Sequence, residues 1–285
     1  MKILLGQDVL HGLFVGLSNK EKLLLSNIVF NNSVKICFSK TYLNLLEKSG
    51  INQDYFQALI KELNDENRIE IEKCCGKTLC DDEFKQIATN NQDSFFIPVV
   101  IKDDSKFNGV KSLLVLEKSK KNNIEWIKKE LLTKSILSVC YKDFNNDNEI
   151  KTFFDSLFLI PKFIREVYVF DREQTSTVIT KAQGNHIKYY TFMGSSHKYI
   201  LDRQNARKSL RRELGGRLRL FYTSDPRVLH ERKIIIENLI ITTDNSRNNL
   251  TTAEPTWEIT VCIDKAKANE WLQKTLTRSF KEQPN

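Results

Sequence analysis

Leu229-His230-Glu231-Arg232-Lys233-Ile234-Ile235-Ile236-Glu237, running on through Asp244-Asn245-Ser246-Arg247-Asn248, is the stretch that decides how the C-terminal half of this chain is read. Three consecutive isoleucines follow Lys233, and Leu239-Ile240-Ile241-Thr242-Thr243 forms a second β-rich run. β-Branched side chains are stiff at χ1 and favour extended backbone. The reading is a strand over Arg232–Ile236, a turn, and a strand over Leu239–Thr243. His230 stands immediately before the first strand.

This stretch resembles the phospholipase D superfamily signature, H-x-K-x4-D-x6-G-S-x2-N. His230 takes the histidine place, Arg232 the lysine place, Glu237 the aspartate place and Asn248 the asparagine place. Asp244-Asn245 stand where Gly-Ser would be. The spacing matches without a gap, and His230 and Asn248 keep the residue type. The resemblance implies an α/β sandwich over roughly 130–275. It also implies a metal-free phosphodiester site in which His230 forms a covalent phosphohistidine. Arg232 and Asn248 would hold the phosphoryl oxygens, with Glu237 beside them. An arginine forks well onto phosphate but differs from lysine in shape and donor placement. The family brings two such histidines face to face, and this chain carries one copy. The resemblance therefore implies either a homodimer sharing one site across a two-fold axis, or a binding domain that no longer cleaves. A structural histidine at a strand edge is the plainer alternative. A literal His-x-Lys at His186-Ile187-Lys188 has the wrong downstream spacing and reads as an amphipathic strand with His186 and Lys188 outward.

The N-terminal half alternates strand and helix patterns, which argues for an α/β layer fold. Strands are expected at Lys2–Leu5, Ile69–Glu72 and Phe95–Ile101, the last a continuous apolar run of the buried parallel kind. Helices are expected over Lys20–Phe30, Thr41–Lys48, Asp54–Asn64 and Asp81–Ala88. This half resembles PIN-type nuclease domains, which open with a strand and an Asp-x-Asn-Val-Leu turn. Here the turn reads Gly6-Gln7-Asp8-Val9-Leu10, so a glycine stands in the first acidic place. Ser39-x2-Tyr42-Leu43-x3-Glu47, Asp81-Asp82-x-Phe84-x3-Ala88 and the Lys102-Asp103-Asp104 turn look like the later acidic segments. The resemblance implies that Asp8, Glu47, Asp82 and Asp103 hold Mg²⁺ or Mn²⁺. An ordinary α/β domain with solvated acids is the alternative, in which case this half is a scaffold or partner-binding module.

Lys118–Asn123 is polar and charged and reads as the linker, giving domains at 1–117 and 124–285. Beyond it, helices are expected at Ile124–Leu132, Ile150–Leu159, Asn205–Leu214 (closed by Gly215-Gly216) and Ala266–Phe280. Strands are expected at Ser135–Tyr141, Glu166–Phe170, His186–Phe192, Arg217–Tyr222 and Trp257–Ile263, besides the two at 232–243. Glu282–Asn285 is expected to fray.

The 285 residues carry a net charge of +8, and the excess is one-sided. Positions 1–120 hold 16 basic and 16 acidic residues, whereas positions 121–285 hold 28 and 20. A local positive field favours a polyanion such as nucleic acid. Arg203, Arg207, Lys208, Arg211, Arg212, Arg217 and Arg219 fall within seventeen residues and lead to the His230 stretch. Arg207 and Arg211, like Lys208 and Arg212, are four apart and share a helix face. Such a face would hold flanking phosphates in register. Tyr189, Tyr190, Phe221 and Tyr222 are candidate stacking partners for unpaired bases. The only acid in the stretch after Asp202 is Glu213, so pairing within it does not neutralise it.

Hydrophobic residues at 40% and charged residues at 28% suit a globular, soluble chain. No apolar run is of bilayer length, and no secretory cleavage pattern follows Met1. The six cysteines lack zinc-finger spacing, and reduced thiols in a cytoplasm are the simplest account. These readings converge on a nucleic-acid-binding phosphodiesterase, as in a microbial restriction, defence or toxin system. The alternative is an inactive binding or adaptor subunit of a larger defence complex. A lipid phosphodiesterase is disfavoured because no amphipathic membrane helix is present.

Overall fold

The computed structural model describes residues 1–14, 17–101, 111–172, 186–192, 204–205, 207–212, 215–229, 231–244, 250–254, 256–278 and 280–282. The chain divides into two compact units, Met1–Ser135 and Ile136–Asn285.

The first unit runs β1 (Lys2–Leu5), α1 (Gln7–Phe14), α2 (Asn19–Val29), β2 (Lys35–Ser39), α3 (Lys40–Glu47), α4 (Gln53–Asp65), β3 (Ile69–Glu72), α5 (Cys80–Asn90), β4 (Phe96–Val100), β5 (Lys111–Ser112), α6 (Leu113–Glu117) and α7 (Ile124–Lys134). The five strands pair in parallel in the order β3-β2-β1-β4-β5. A parallel sheet is covered on both faces, so its central strands are apolar throughout. Ile3, Leu4 and Leu5 of β1 and Ile36, Cys37 and Phe38 of β2 are accordingly buried. Helix starts are set by side chains that accept the first free N–H groups. Ser18 and Glu21 make a reciprocal cap on α2, Asn52 caps α4 and Asn123 caps α7.

Three expectations need correction here. The turn after β1 is the first turn of α1, because Gly6-Gln7-Asp8 passes directly into helix. The strand β2 carried no alternating pattern to announce it, since its last four residues are all buried. The domain boundary falls after Ser135 rather than at Lys118–Asn123, and α7 belongs to the first unit. Asn31 Nδ2 donates to the Leu132 carbonyl at 2.7 Å, and Ser135 Oγ donates to Asn31 Oδ1 at 2.7 Å, fastening the end of α7 to the turn after α2.

The second unit runs β6 (Ile136–Cys140), α8 (Asp147–Phe158), β7 (Glu166–Phe170), β8 (His186–Phe192), β9 (Leu218–Thr223), β10 (Arg232–Ile236), β11 (Leu239–Thr243), β12 (Glu258–Ile263), α9 (Lys265–Leu276) and β13 (Lys281–Glu282). These eight strands form one mixed sheet in the order β13-β9-β8-β7-β10-β11-β12-β6. β7, β8 and β9 are parallel, and the others join antiparallel to their neighbours. Residues 204–205 and 207–212 are helical and lie in the crossover between β8 and β9.

Strand alternation gives the sheet two distinct faces. One packs Phe170, Tyr190, Ile235 and Ile240 with Trp271 and Leu272 of α9. The other carries Val167, Val169, Ile187, Ile234, Ile236 and Ile241, all fully buried. The closing helix ends at Leu276, short of Phe280, and the chain re-enters the sheet as β13. Lys281 and Glu282 thereby pair with Tyr222 and Phe221, so Glu282 does not fray as expected, and 283–285 lie outside the described residues. The fold class is α/β in two units, as the strand and helix patterns indicated.

Candidate functional site

The β10–β11 hairpin forms where the isoleucine run demanded it. Arg232 pairs with Thr243 at its open end and Ile236 with Leu239 at its closed end. Glu237 begins the turn at φ +55°, a left-handed conformation uncommon for a non-glycine residue. Its carboxylate accepts from the Arg165 N–H at 2.9 Å. Glu237 and Arg232 are thus at opposite ends of a five-residue strand, roughly 16 Å apart along it. The structure does not bring Glu237 to the Arg232 end. His230 and Asn248 lie outside the described residues, as does Arg203.

Arg232 is held at two points by the strand ends, with its Nε ion-paired but not hydrogen-bonded. Its Nη1 donates to the Asp244 carbonyl at 2.9 Å, and its Nε lies 3.4 Å from Asp171 Oδ1. The side chain of Asp171 is fully buried and that of Arg232 is 17% exposed. The register explains the meeting. Lys233 pairs with Phe170, so Arg232 and Asp171 fall one step further along the same antiparallel ladder. Asp171 also follows Phe170 in the parallel pairing of β7 with β8, where its N–H donates to the Tyr190 carbonyl at 3.0 Å. Thr191 is its neighbour there and is buried.

Thr243, Arg232, Asp171 and Thr191 therefore make a polar row across four adjacent strands, on the face away from α9. It lies at the carboxyl ends of the parallel strands β7 and β8. That edge is where ligands collect in open α/β sheets. Four of the buried polar residues, Asp171, Thr191, Thr223 and Thr243, lie at this one edge. Thr191 Oγ1 donates to the Arg172 carbonyl at 3.2 Å, Thr223 Oγ1 accepts from the Asp225 N–H at 3.2 Å and Asp171 faces Arg232, which offsets the cost of burying these groups. The sequence reading did not select Asp171, although the signal was available as an acid directly after an apolar strand.

The described residues of the basic arm divide between open surface and an ion-paired position. In the helical residues, Lys208 and Arg212 are exposed, Arg207 and Arg211 are half-exposed, and Leu210 is buried. Burial, with Arg211 nearby, holds the Arg207 guanidinium below its ordinary pKa. Arg217 is half-exposed. Arg219 makes a two-pronged pair with Glu282 at 2.7 Å on each arm, and its guanidinium lies over the Phe221 ring. The acid that neutralises it comes from the C-terminal strand and not from the arm itself. Tyr189 and Tyr190 are buried. Tyr190 is stacked between Phe170 and Phe221 at centroid distances of 4.8 and 4.7 Å. They are core residues and offer no face to a base, whereas Phe221 and Tyr222 are half-exposed.

The second His-x-Lys falls on β8 as a strand, with His186 exposed and Ile187 buried between. Lys188 Nζ pairs with Glu166 at 2.7 Å. Burial and the Glu166 carboxylate push the Tyr168 hydroxyl up to about 12.

In the first unit, Asp8 is exposed on the first turn of α1, beside the carboxyl ends of β1 and β4. Its Oδ1 accepts from the Val9 N–H and its Oδ2 from the Ile101 N–H, both at 2.8 Å. Desolvation raises its carboxyl above the usual range, and the negative charge of Asp81 adds to the rise. A side chain at position 6 would crowd this arrangement. A Cβ at position 6 would stand 2.6 Å from Asp8 Oδ1 and 3.0 Å from Val100. The acid at 8 thus fills the space that a side chain at 6 would occupy. Glu47 and Asp82 are both exposed, on α3 and α5, and Asp103 is outside the described residues. The acid that α5 turns inward is Glu83, which is fully buried. It accepts from Ser39 Oγ at 2.6 Å and from the N–H groups of Cys75 and Lys77 at 2.9 and 3.0 Å. Among the described residues, no group of three or more His, Cys, Asp or Glu side chains is disposed to hold a metal ion. Asp8, Glu47 and Asp82 do not gather into such a group, and Asp103 lies outside the described residues. Among the described residues, no helix is long and apolar enough to cross a membrane.

No protein-family model matches the chain, and no curated protein matches it. Among solved structures it is similar to the archaeal chromatin protein TrmBL2, described as showing a novel mode of DNA binding, at 13% identity and TM-score 0.34, over 82% of this chain and 68% of that one. It is similar to Nuc from Salmonella typhimurium, a phospholipase D family member, at 14% identity and TM-score 0.36, over 53% of this chain and 99% of that one. It is also similar to polyphosphate kinase from Porphyromonas gingivalis, at 12% identity and TM-score 0.34, over 49% of this chain and 24% of that one. Likenesses this distant leave function to the residues themselves.

Proposed function

We propose that this protein engages the phosphodiester backbone of a nucleic acid through its second unit and hydrolyses it at the carboxyl edge of β7 and β8. The observation that carries this reading is the Asp171–Arg232 pair. A fully buried carboxylate fixes a guanidinium at the sheet edge, two residues after His230 in a stretch with phospholipase D spacing. A cation oriented before substrate arrives loses little entropy on binding phosphate and needs no reorganisation as charge builds. His230 is the proposed nucleophile. Asn248 is a proposed phosphate donor, and Arg207, Lys208, Arg211 and Arg212 are proposed contacts to flanking phosphates. Glu237 has no direct part in this proposal. A microbial defence or toxin system is the proposed setting.

A second reading is favoured by the same pair. Arg232 gives Nη1 to the Asp244 carbonyl, and Asp171 offsets its charge. A cation so committed holds phosphate less strongly, and the unit would then bind nucleic acid without cutting it. Incubation of the full chain with labelled DNA and RNA in EDTA separates the two. Metal-independent cleavage lost in His230→Ala supports hydrolysis. Salt-sensitive binding without cleavage supports the binding reading. Absence of any binding at low salt rejects both.

A further inference from the structure

The polar row at the carboxyl edge does not stop at Thr191. Thr191 pairs with Tyr222 of β9, and Tyr222 pairs with Lys281 of β13. Paired residues share a face of the sheet. The row therefore runs on as Arg232, Asp171, Thr191, Tyr222 and Lys281, on the face away from α9. Their sequence neighbours Phe221 and Glu282 turn to the opposite face, where Phe221 stacks on Tyr190 and Glu282 takes Arg219. Tyr222 lies three strand spacings from Arg232, about 14 Å across the sheet.

Tyr222 differs from the three aromatic residues around it. Tyr189 and Tyr190 are buried. Phe221 has Tyr190 stacked on it and the Arg219 guanidinium over its ring. Tyr222 is half-exposed, and among the described residues no other ring packs against it. Lys281 beside it is exposed, and among the described residues no carboxylate pairs with it. An open ring next to an unneutralised cation is the combination that holds an unpaired base and its phosphate. In a duplex both faces of each base are already stacked on neighbours, so a ring of this kind favours a single strand.

We infer that Tyr222 stacks a base of a single-stranded nucleic acid, with Lys281 on an adjacent phosphate. This assignment rests on the proposed engagement of nucleic acid at this edge, and it adds that the strand engaged there is single. The ligand lies across the ends of β10, β7, β8 and β9, from a phosphate at Arg232 to a base on Tyr222. The span of about 14 Å corresponds to a few nucleotides.

The test measures binding of the full chain to a labelled oligodeoxythymidylate and to a duplex of equal length, by fluorescence anisotropy. Tyr222→Ala is expected to weaken single-strand binding about tenfold and to leave duplex binding unchanged. Tyr222→Phe keeps the ring and should bind as the unaltered chain does. Lys281→Gln should weaken single-strand binding and lower its salt slope by about one. With 5-iododeoxyuridine in the strand, irradiation of the unaltered chain should give a crosslink that peptide mass mapping places at Tyr222. Each variant is checked for fold by circular dichroism. If the unaltered chain binds neither form, the inference falls together with the reading beneath it. Binding that Tyr222→Ala leaves unchanged, an equal loss on strand and duplex, a loss in Tyr222→Phe as large as in Tyr222→Ala, an unaffected Lys281→Gln, or crosslinks that avoid Tyr222 would each overturn the inference alone.

Discussion

Asp171 and Arg232 stand 61 positions apart in sequence and meet with Oδ1 and Nε 3.4 Å apart, because β7 and β10 are antiparallel neighbours in one register. Removing one member of a buried pair leaves the other charge desolvated. Asp171→Ala is expected to cost about 3 kcal/mol of the second unit's stability, read from urea denaturation. A loss under about 1 kcal/mol, the range of exposed pairs, would show that the pair is not a structural anchor.

Binding to nucleic acid is expected to fall steeply with salt, since each phosphate contact releases counterions. The triple variant Arg207→Glu, Arg211→Glu, Arg212→Glu should weaken binding to all sequences alike and lower the salt slope by about one per lost contact. Unchanged affinity in filter binding across a salt series would remove the arm from the interface.

Glu282 occupies Arg219, so Glu282→Gln is expected to strengthen nucleic-acid binding by freeing one more cation. Glu282 is held below the usual carboxylate range by its hydrogen bond to Arg219. Near neutral pH the pair is therefore intact. Weaker binding in the variant would mean that Glu282 positions Arg219 instead of masking it.

If cleavage occurs, His230→Ala should reduce it by about a thousandfold or more, and the active species should be at least a dimer. One histidine cannot serve at once as nucleophile and as separate proton donor. A fully active monomer by sedimentation would require another donor in the same chain. EDTA-sensitive cleavage that survives His230→Ala would move the chemistry to the first unit.

Gly6→Ala places a methyl group 2.6 Å from Asp8 Oδ1 and should destabilise the first unit by about 1–3 kcal/mol. Most of that cost should vanish in Gly6→Ala combined with Asp8→Ala, because contacting residues couple. Additive losses in the double variant would place the clash with Val100 instead.

Much of this architecture was legible before any coordinate. Three isoleucines after Lys233 announced β10, the apolar run at Phe95–Ile101 announced β4, and helical spacing of apolar residues announced α2, α3 and α4. These are local signals, carried by side-chain period and by hydrogen bonds within a few residues. Where the local signal failed, burial had erased it. The strand β2 has no polar alternation because both its faces are covered. Glu282, which is exposed, read as frayed for a different reason, because the strand that pairs with it, β9, is distant in sequence.

By itself, the sequence determined the two-unit α/β class, the one-sided charge and the hairpin that follows His230, because period, composition and spacing are properties of the chain alone. The tertiary structure decided which side chains share a site. It brought Asp171 to Arg232 and left Glu237 at the far end of the hairpin. It enclosed Tyr190 between Phe170 and Phe221, gave Arg219 to Glu282, and turned Glu83 inward where Asp82 had been expected. Each of these depends on strand order and register, set by how two faces of a sheet bury their apolar surface, and no short stretch of residues encodes that.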